Sequence, residues 1–225
     1  MRARFASSTQ YMTTTIKEIV VFGASGGTGR ELVRQALHNN YRVTVFVRDS
    51  ASFKPTEGLK IIQGNINNSD QVRDAIRGKY AVLSALGVSR TLHHDPEVVS
   101  GIRTIVEAMN EESVSRLIYL SVFLAEAELK NFSFFVRHIL NNVIRKEVID
   151  HEAKEKIVVQ HVKAFTIVRA TRLKSQPLTG KYKSGETINL NDFLPSVTRG
   201  DVAHFMLRQL NDNTYINKKV SITGA

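Results

Sequence analysis

The chain contains no cysteine and no tryptophan, and only 4 prolines in 225 residues. Without cysteine there are no disulfides and no thiolate metal sites, and a reducing compartment is compatible with the composition. No apolar run approaches the roughly 18 residues that a membrane span needs. There is no low-complexity tract and no internal repeat beyond an alternation of strand and helix patterns. Acidic residues are missing altogether from Met1 to Thr15, which is rich in Ser and Thr and carries Arg2 and Arg4. That stretch weakly resembles an organelle transit peptide and is too poor in apolar residues for a secretory signal. Residues 1–15 are therefore expected to be a flexible leader or targeting segment, with Met12 a second candidate start. Residues 16–225 are expected to form one domain. A cytoplasmic location is expected, with a mitochondrial one as the alternative.

The formal net charge is +10. Lys and Arg are spread along the chain rather than clustered on one patterned stretch, so nucleic-acid binding is not expected. Attraction of an anionic cofactor and substrate accounts better for the excess, and a solvated basic surface explains part of it. No membrane partner is expected, and the oligomeric state is expected to be a monomer or a weak homo-oligomer.

What the chain does contain is Ile19-Val20-Val21-Phe22 followed by Gly23, Gly26 and Gly29. Four apolar residues read as a buried parallel strand. An apolar helical period follows in Leu32, Val33, Ala36 and Leu37. Strand, glycine turn and helix form the context that marks a dinucleotide fingerprint. Gly23 turns the chain off the strand, Gly26 lets a pyrophosphate approach the backbone, and Gly29 lets the helix pack closely. The helix start offers free N–H groups and its positive dipole end.

A second strand is expected over Tyr41–Val47, ending in Arg48-Asp49-Ser50. Arginine at this point suits the 2′-phosphate of NADP, whereas an acidic residue suits the ribose hydroxyl of NAD. Arg48 favours NADP; Asp49 is the rival and is also placed to cap the next turn. Leu59–Gln63 reads as a third strand, running into Gly64-Asn65-Ile66, where Asn65 either meets an adenine edge or simply turns the chain. Ser69 or Asp70 is expected to cap a helix over Asp70–Arg77. Tyr80–Leu86 reads as a fourth strand leading to Gly87, where a nicotinamide crosses the sheet edge. His93 and His94 are adjacent and lack a third partner, so they read as loop residues rather than ligands. Pro96 opens a helix to about Asn110, and Arg116–Phe123 is a fifth strand containing Ser121.

Beyond it the pattern loosens between Leu124 and about Asn142, where Phe132, Phe134 and Phe135 read as a lid, a substrate wall or a surface loop pinned by aromatics. Helical pattern returns from about Arg137 and continues over Asp150–Gln160, and a strand over Phe165–Arg169 and a loop over Thr171–Gly180 follow. Then come a short strand over Glu186–Leu190, a helix over Arg199–Gln209 and a closing strand over Val220–Thr223. The alternation predicts an α/β fold: a doubly wound, mostly parallel Rossmann sheet with helices on both faces.

Two catalytic patterns match only formally. Tyr215 and Lys219 have the spacing of a Tyr-x-x-x-Lys pair, but in a polar turn that does not bring them onto one face. Gly23-Ala24-Ser25-Gly26-Gly27 has the letters of a hydrolase elbow, yet it follows the first strand, so no earlier strand can supply the second oxyanion N–H, and Gly29 is more than an elbow asks for.

The fingerprint Gly23-Ala24-Ser25-Gly26-Gly27-Thr28-Gly29 is similar to that of atypical short-chain dehydrogenases that lack the tyrosine motif. Thr44-Val45-Phe46-Val47-Arg48-Asp49-Ser50 looks like the second strand of the same group. Ser175-Gln176-Pro177-Leu178-Thr179-Gly180-Lys181-Tyr182 and Asp201-Val202-Ala203-His204-Phe205-Met206-Leu207-Arg208 resemble the biliverdin IXβ reductase, or NADPH flavin reductase, group. The resemblance runs from about Ile16 to about Leu210. It implies NADPH-dependent reduction of a planar acceptor, either a flavin (FMN, FAD or riboflavin) or a tetrapyrrole. It implies Gly23, Ser25, Gly26, Gly27 and Thr28 at the pyrophosphate, Arg48 at the 2′-phosphate, Asn65 and Ile66 on the adenine side, and Leu86 and Gly87 at the nicotinamide. It implies Ser121 as the active-site serine with Phe123 beside it. The group has a histidine where this chain has Arg172, which leaves tetrapyrrole activity in doubt. Arg172 reads either as a partner for a substrate anion or developing charge, or as half of a salt bridge, with Glu155 a candidate partner. A bare-spacing alternative for Ser121 is a strand-end hydroxyl bonded to backbone. The other functional readings are a dinucleotide-sensing regulator without catalysis and, more weakly, a sugar-nucleotide epimerase.

Overall fold

A computed structural model describes residues 16–87, 96–123, 151–188 and 195–225. Its sheet follows from the apolar runs. β1 (Glu18–Phe22) pairs in parallel with both β2 (Arg42–Val47) and β4 (Ala81–Ser84). β3 (Leu59–Gln63) lies outside β2, and β5 (Arg116–Val122) and β6 (Ala164–Ala170) extend the sheet past β4. β7 (Arg172–Lys174), β8 (Tyr182–Gly185), β9 (Ser196–Thr198) and β10 (Lys218–Gly224) complete the described strands. The main sheet has the order β3-β2-β1-β4-β5-β6-β10-β8, and β7 pairs with β9 apart from it. β10 is parallel to β6, while β8 is antiparallel to β10.

The side-chain alternation of β1 feeds two cores. Ile19 and Val21 pack with Leu32, Val33 and Ala36 of α1 (Gly27–His38) and with Val202, Phe205 and Met206 of α5 (Arg199–Arg208). Val20 and Phe22 pack on the other face with Val72 and Ile76 of α2 (Ser69–Ile76) and Ile102 and Ile105 of α3 (Pro96–Glu111). Ile157 and Val158 of α4, helical residues 151–161, join that second core. Residues 19–22 are wholly buried, as a strand covered on both faces must be. The doubly wound α/β sheet expected from the alternation is therefore observed.

Local assignments differ in three places. The cap of α2 is Asn68, whose side chain accepts from the Gln71 N–H, rather than Ser69 or Asp70; the helix begins one residue earlier, so Ser69 is already inside it. The short strand is Tyr182–Gly185 rather than Glu186–Leu190, because the ladder with β10 closes at Gly185 opposite Ser221. Residues 189–194 lie outside the described residues. The loop over Thr171–Gly180 contains β7, a three-residue strand made possible only by its distant partner β9.

The loop after β7 is fixed by one buried carboxylate. Asp201, 1% exposed, accepts from Thr179 N at 2.9 Å, Thr179 Oγ1 at 2.7 Å, Gly180 N at 2.8 Å and Thr198 Oγ1 at 2.8 Å. Thr198 in turn accepts from the Asp201 N–H and so caps α5. Burial alone would raise the Asp201 pKa; the hydrogen bonds from Thr179, Thr198 and Gly180 outweigh it and hold the carboxyl below the ordinary aspartate range. Its contribution is thus complete above the unfolded-state aspartate pKa of about 3.9 and is lost as pH falls through the folded value. Asp201→Ala is expected to cost about 3 kcal/mol at neutral pH, since two backbone N–H groups lose their acceptor. Urea denaturation against pH checks this: the gap to wild type should narrow below about pH 4, and a gap that does not narrow contradicts the assignment.

Candidate active site

The parallel strands all point their carboxyl ends at one edge of the sheet. There β1 and β4 are neighbours whose connections leave in opposite directions, which is where open α/β sheets open a ligand crevice. A cleft of about 1550 Å³ lies along that edge. It is lined by Gly23, Ser25, Gly26, Gly27 and Thr28 after β1, Arg48 after β2, Asn65 and Ile66 after β3, and Leu86 and Gly87 after β4. Ser121 at the end of β5 and Arg172 after β6 line the same cleft. Twelve of the positions singled out from sequence are thus brought to one cavity. Phe123 is not among the lining residues: it is half-buried, and its N–H donates to Ala170 O at 2.8 Å, continuing the β5–β6 ladder past the rim. His93, His94, Phe132, Phe134 and Phe135 lie outside the described residues.

Steric contacts give the glycine turn its shape. Gly23 has φ +73°, and a Cβ there would sit 2.6 Å from the Ala85 carbonyl. A Cβ on Gly29 would lie 2.1 Å from Gly23 O. The end of β4 and the first turn of α1 are therefore both pressed against the turn. α1 has Gly26 as its N-cap, with no side-chain cap hydrogen bond, and no acidic residue in its first turn. Its leading N–H groups and dipole are left facing the cleft, the condition for holding an anion. Arg30 braces the loop from outside: Nε donates to Ser25 O at 3.0 Å and Nη1 to Ser52 O at 3.1 Å.

The rivalry at the end of β2 is resolved geometrically. Asp49 turns away and caps the 3₁₀ turn Ser50–Ser52 by accepting from Ala51 N at 3.0 Å. Arg48 is exposed, lines the cleft and pairs with no carboxylate among the described residues. Asn65 both turns the chain and lines the cleft, and its Oδ1 accepts from Asn67 N at 2.9 Å.

At the β5 end, Ser121 Oγ donates to Glu155 Oε1 at 2.8 Å. Glu155, on α4, is 3% exposed and also accepts from Arg169 Nε at 3.0 Å, Arg169 Nη2 at 2.6 Å and Lys219 Nζ at 2.9 Å. Arg172 makes no bond to it; the carboxylate is taken by Arg169 and Lys219, which the ladder of β5, β6 and β10 places beneath it, so the pairing of Arg172 with Glu155 considered from sequence is not formed. Burial pushes the Glu155 pKa up, but the hydrogen bonds from Arg169, Lys219 and Ser121 prevail and hold it below the usual carboxylate range. Tyr119, fully buried on the same strand, has its phenol pushed upward by burial and by the Glu155 charge. Tyr215 and Lys219 do not line the cleft: Tyr215 packs beside Phe205, and Lys219 serves Glu155.

Sequence reasoning missed Arg199. It opens α5, lines the cleft, and lies across Gly27, where a Cβ would meet its Cδ at 2.6 Å. Nη1 donates to Ser175 Oγ at 2.5 Å, and no carboxylate among the described residues pairs with it. Nothing in its local sequence marks it, because it reaches the glycine turn only through packing of α5 on α1. No cluster of three potential metal ligands is present among the described residues. Among them, too, no helix is long and apolar enough to cross a membrane.

A switch-point cleft with an uncapped glycine turn defines a dinucleotide-binding Rossmann protein. The NAD(P)H-binding family model matches residues 23–213, and the chain belongs to that family. An uncharacterised chloroplastic protein of Arabidopsis thaliana is 26% identical over 173 residues, 73% of this chain and 62% of that one. The chain spans 62%, 35% and 41% of the lengths of three curated relatives it matches. A short-chain dehydrogenase/reductase from Veillonella parvula, solved in complex with NADP, superposes with a TM-score of 0.73 at 20% identity, over 92% of this chain and 94% of that one. ChuY, an anaerobilin reductase from Escherichia coli, superposes with a TM-score of 0.70 at 19% identity, over 92% of this chain and 96% of that one. The superpositions establish the Rossmann fold, and the family match establishes an NAD(P)H-binding domain.

Removing one of the two cations over Glu155 tests the buried network. Arg169→Met is expected to cost about 1–3 kcal/mol, less than the 3–5 of a fully broken buried pair because Lys219 remains. Chemical denaturation checks it, and a change below about 0.5 kcal/mol would show that Lys219 alone satisfies the carboxylate.

Proposed function

We propose that this protein is an NADPH-dependent reductase that delivers hydride to a planar acceptor of the flavin or tetrapyrrole class. The observation that carries this reading is the pairing, in one cleft, of an uncapped glycine turn with Arg48, whose acidic neighbour is turned away into a cap. The residues present fit the dinucleotide. The helix start without a side-chain cap accepts a pyrophosphate, Arg48 suits a 2′-phosphate, and the Asn65 NH₂ group suits an adenine acceptor edge. Arg199, lying over Gly27, adds a cation at the pyrophosphate end.

When bound, NADPH supplies hydride from its nicotinamide, and the acceptor takes one proton from water. The protein's part is alignment and charge. Leu86 and Gly87 follow β4 and would meet the nicotinamide half, and a Cβ on Gly87 would meet no described atom within 4 Å. Ser121 and Arg172 flank the acceptor side, Arg172 as an exposed cation for a carboxylate, a phosphate or developing negative charge. The absence of a Tyr–Lys pair from the described lining suits chemistry that does not protonate a carbonyl oxygen. The anaerobilin reductase activity named for ChuY supports the tetrapyrrole arm, and the NADP complex of the Veillonella protein supports the cofactor. A cytoplasmic or organellar location fits this reading equally.

Mixing protein and NADPH with riboflavin, FMN or biliverdin and following loss of NADPH absorbance tests the activity; no turnover with any of them, despite NADPH binding, contradicts it and favours a dinucleotide sensor. Arg48→Ala is expected to weaken NADPH binding by about 1–3 kcal/mol and leave NADH nearly unchanged. Arg199→Met is expected to weaken both cofactors alike, since the pyrophosphate is common to both. Titration of each variant with each cofactor separates the two roles, and equal losses for both cofactors in Arg48→Ala would remove the 2′-phosphate assignment.

A further inference from the structure

The reductase reading leaves open how Ser121 meets the acceptor. Its hydroxyl has one hydrogen to give. That hydrogen is committed to Glu155 Oε1 at 2.8 Å, and Glu155, held ionised by Arg169 and Lys219, can only accept. To donate into the cleft, Ser121 would have to leave a buried carboxylate short of a partner, which is costly. Among the described residues, the groups that act on this carboxylate lie on three strands. Ser121 and Tyr119 lie on β5, Arg169 on β6 and Lys219 on β10; Glu152 on α4 acts on Arg169. Among the described residues, the recorded hydrogen bond of the Ser121 hydroxyl goes to Glu155.

Resting on the reductase reading, we propose that Glu155 is a positioning residue that makes Ser121 a hydrogen-bond acceptor toward the cleft, so that the hydride acceptor is a heterocycle recognised through a ring N–H rather than through a carbonyl oxygen. An oxidised flavin fits, because its isoalloxazine ring carries one N–H, at N3. A quinone or simple ketone offers only acceptor oxygens and gains nothing from Ser121. The same network explains why a strand-end serine is tied to a side chain 34 positions away rather than to neighbouring backbone.

The test titrates riboflavin and N3-methylriboflavin into protein saturated with NADP⁺, followed by quenching of flavin fluorescence. Wild type is expected to bind riboflavin about three- to tenfold more tightly than the methylated analogue, the range of one neutral hydrogen bond. Ser121→Ala is expected to abolish that preference, with a lowered melting temperature because Glu155 loses a donor; the ratio of the two flavin affinities is the deciding readout. Glu155→Gln, whose amide can donate to the Ser121 oxygen and release the hydroxyl hydrogen, is expected to narrow it too. A merely structural Glu155 would lower the melting temperature and leave the ratio unchanged. If Glu155→Gln does not fold, Ser121→Ala decides alone. The same ratio in wild type and Ser121→Ala overturns the inference and leaves the reductase reading standing. No riboflavin binding by wild type overturns the inference together with the flavin reading.

Discussion

The contact between Gly29 and the Gly23 carbonyl is the constraint on which the rest of the site depends. With no Cβ at Gly29, the first turn of α1 lies against the turn that leaves β1, and Gly23 in turn lies against the end of β4. Three elements meet within a few ångströms at the switch point of the sheet. The helix start is thereby aimed along the carboxyl edge instead of over a face. Because Gly26 gives it no side-chain cap, its N–H groups are left for an anion. The anion-binding capacity is a consequence of close packing.

Two buried carboxylates then fix the walls. Asp201 gathers Thr179, Gly180 and Thr198 and seats the loop after β7 on the start of α5. That loop carries Ser175, which meets Arg199 above the glycine turn. Glu155 gathers Ser121, Arg169 and Lys219 beneath the other end of the cleft. Both carboxylates are held ionised against burial by their donors, so each is a rigid anchor. Neither presents its own charge to a ligand; each acts by setting what its neighbours present. On the adenine side the same economy appears in Asp49, which is consumed as a cap and leaves Arg48 as the charged group at the end of β2.

Much of this edge was legible in the sequence because it follows from local pattern. The apolar runs place strand ends, and in a parallel sheet every strand end from β1 to β6 falls on one edge, so Gly23, Arg48, Asn65, Gly87, Ser121 and Arg172 converge once the alternation is recognised. What local pattern cannot carry is the partner of a side chain. Glu155 lies on α4 and its cations on β6 and β10; only the β5–β6–β10 ladder brings them together. Arg199 reaches Gly27 through helix packing, which its neighbours in sequence do not encode. The β7–β9 pair escaped for a similar reason: three residues are too few for a period, and their pairing is decided by a segment far along the chain. The Asn68 cap was missed because Asn, Ser and Asp stand in a row and all are good caps, so that register alone decides among them.

If one cleft holds NADPH with its nicotinamide end beside Ser121, a bound structure will show it. A crystal structure of the protein soaked with NADP⁺ and riboflavin tests it most directly. The pyrophosphate is expected at the start of α1, the 2′-phosphate at Arg48, and the flavin against the nicotinamide with Ser121 and Arg172 at its edge. A dinucleotide bound outside this cleft, or lying in it with the adenine end at Ser121 and the nicotinamide at Arg48, would contradict it.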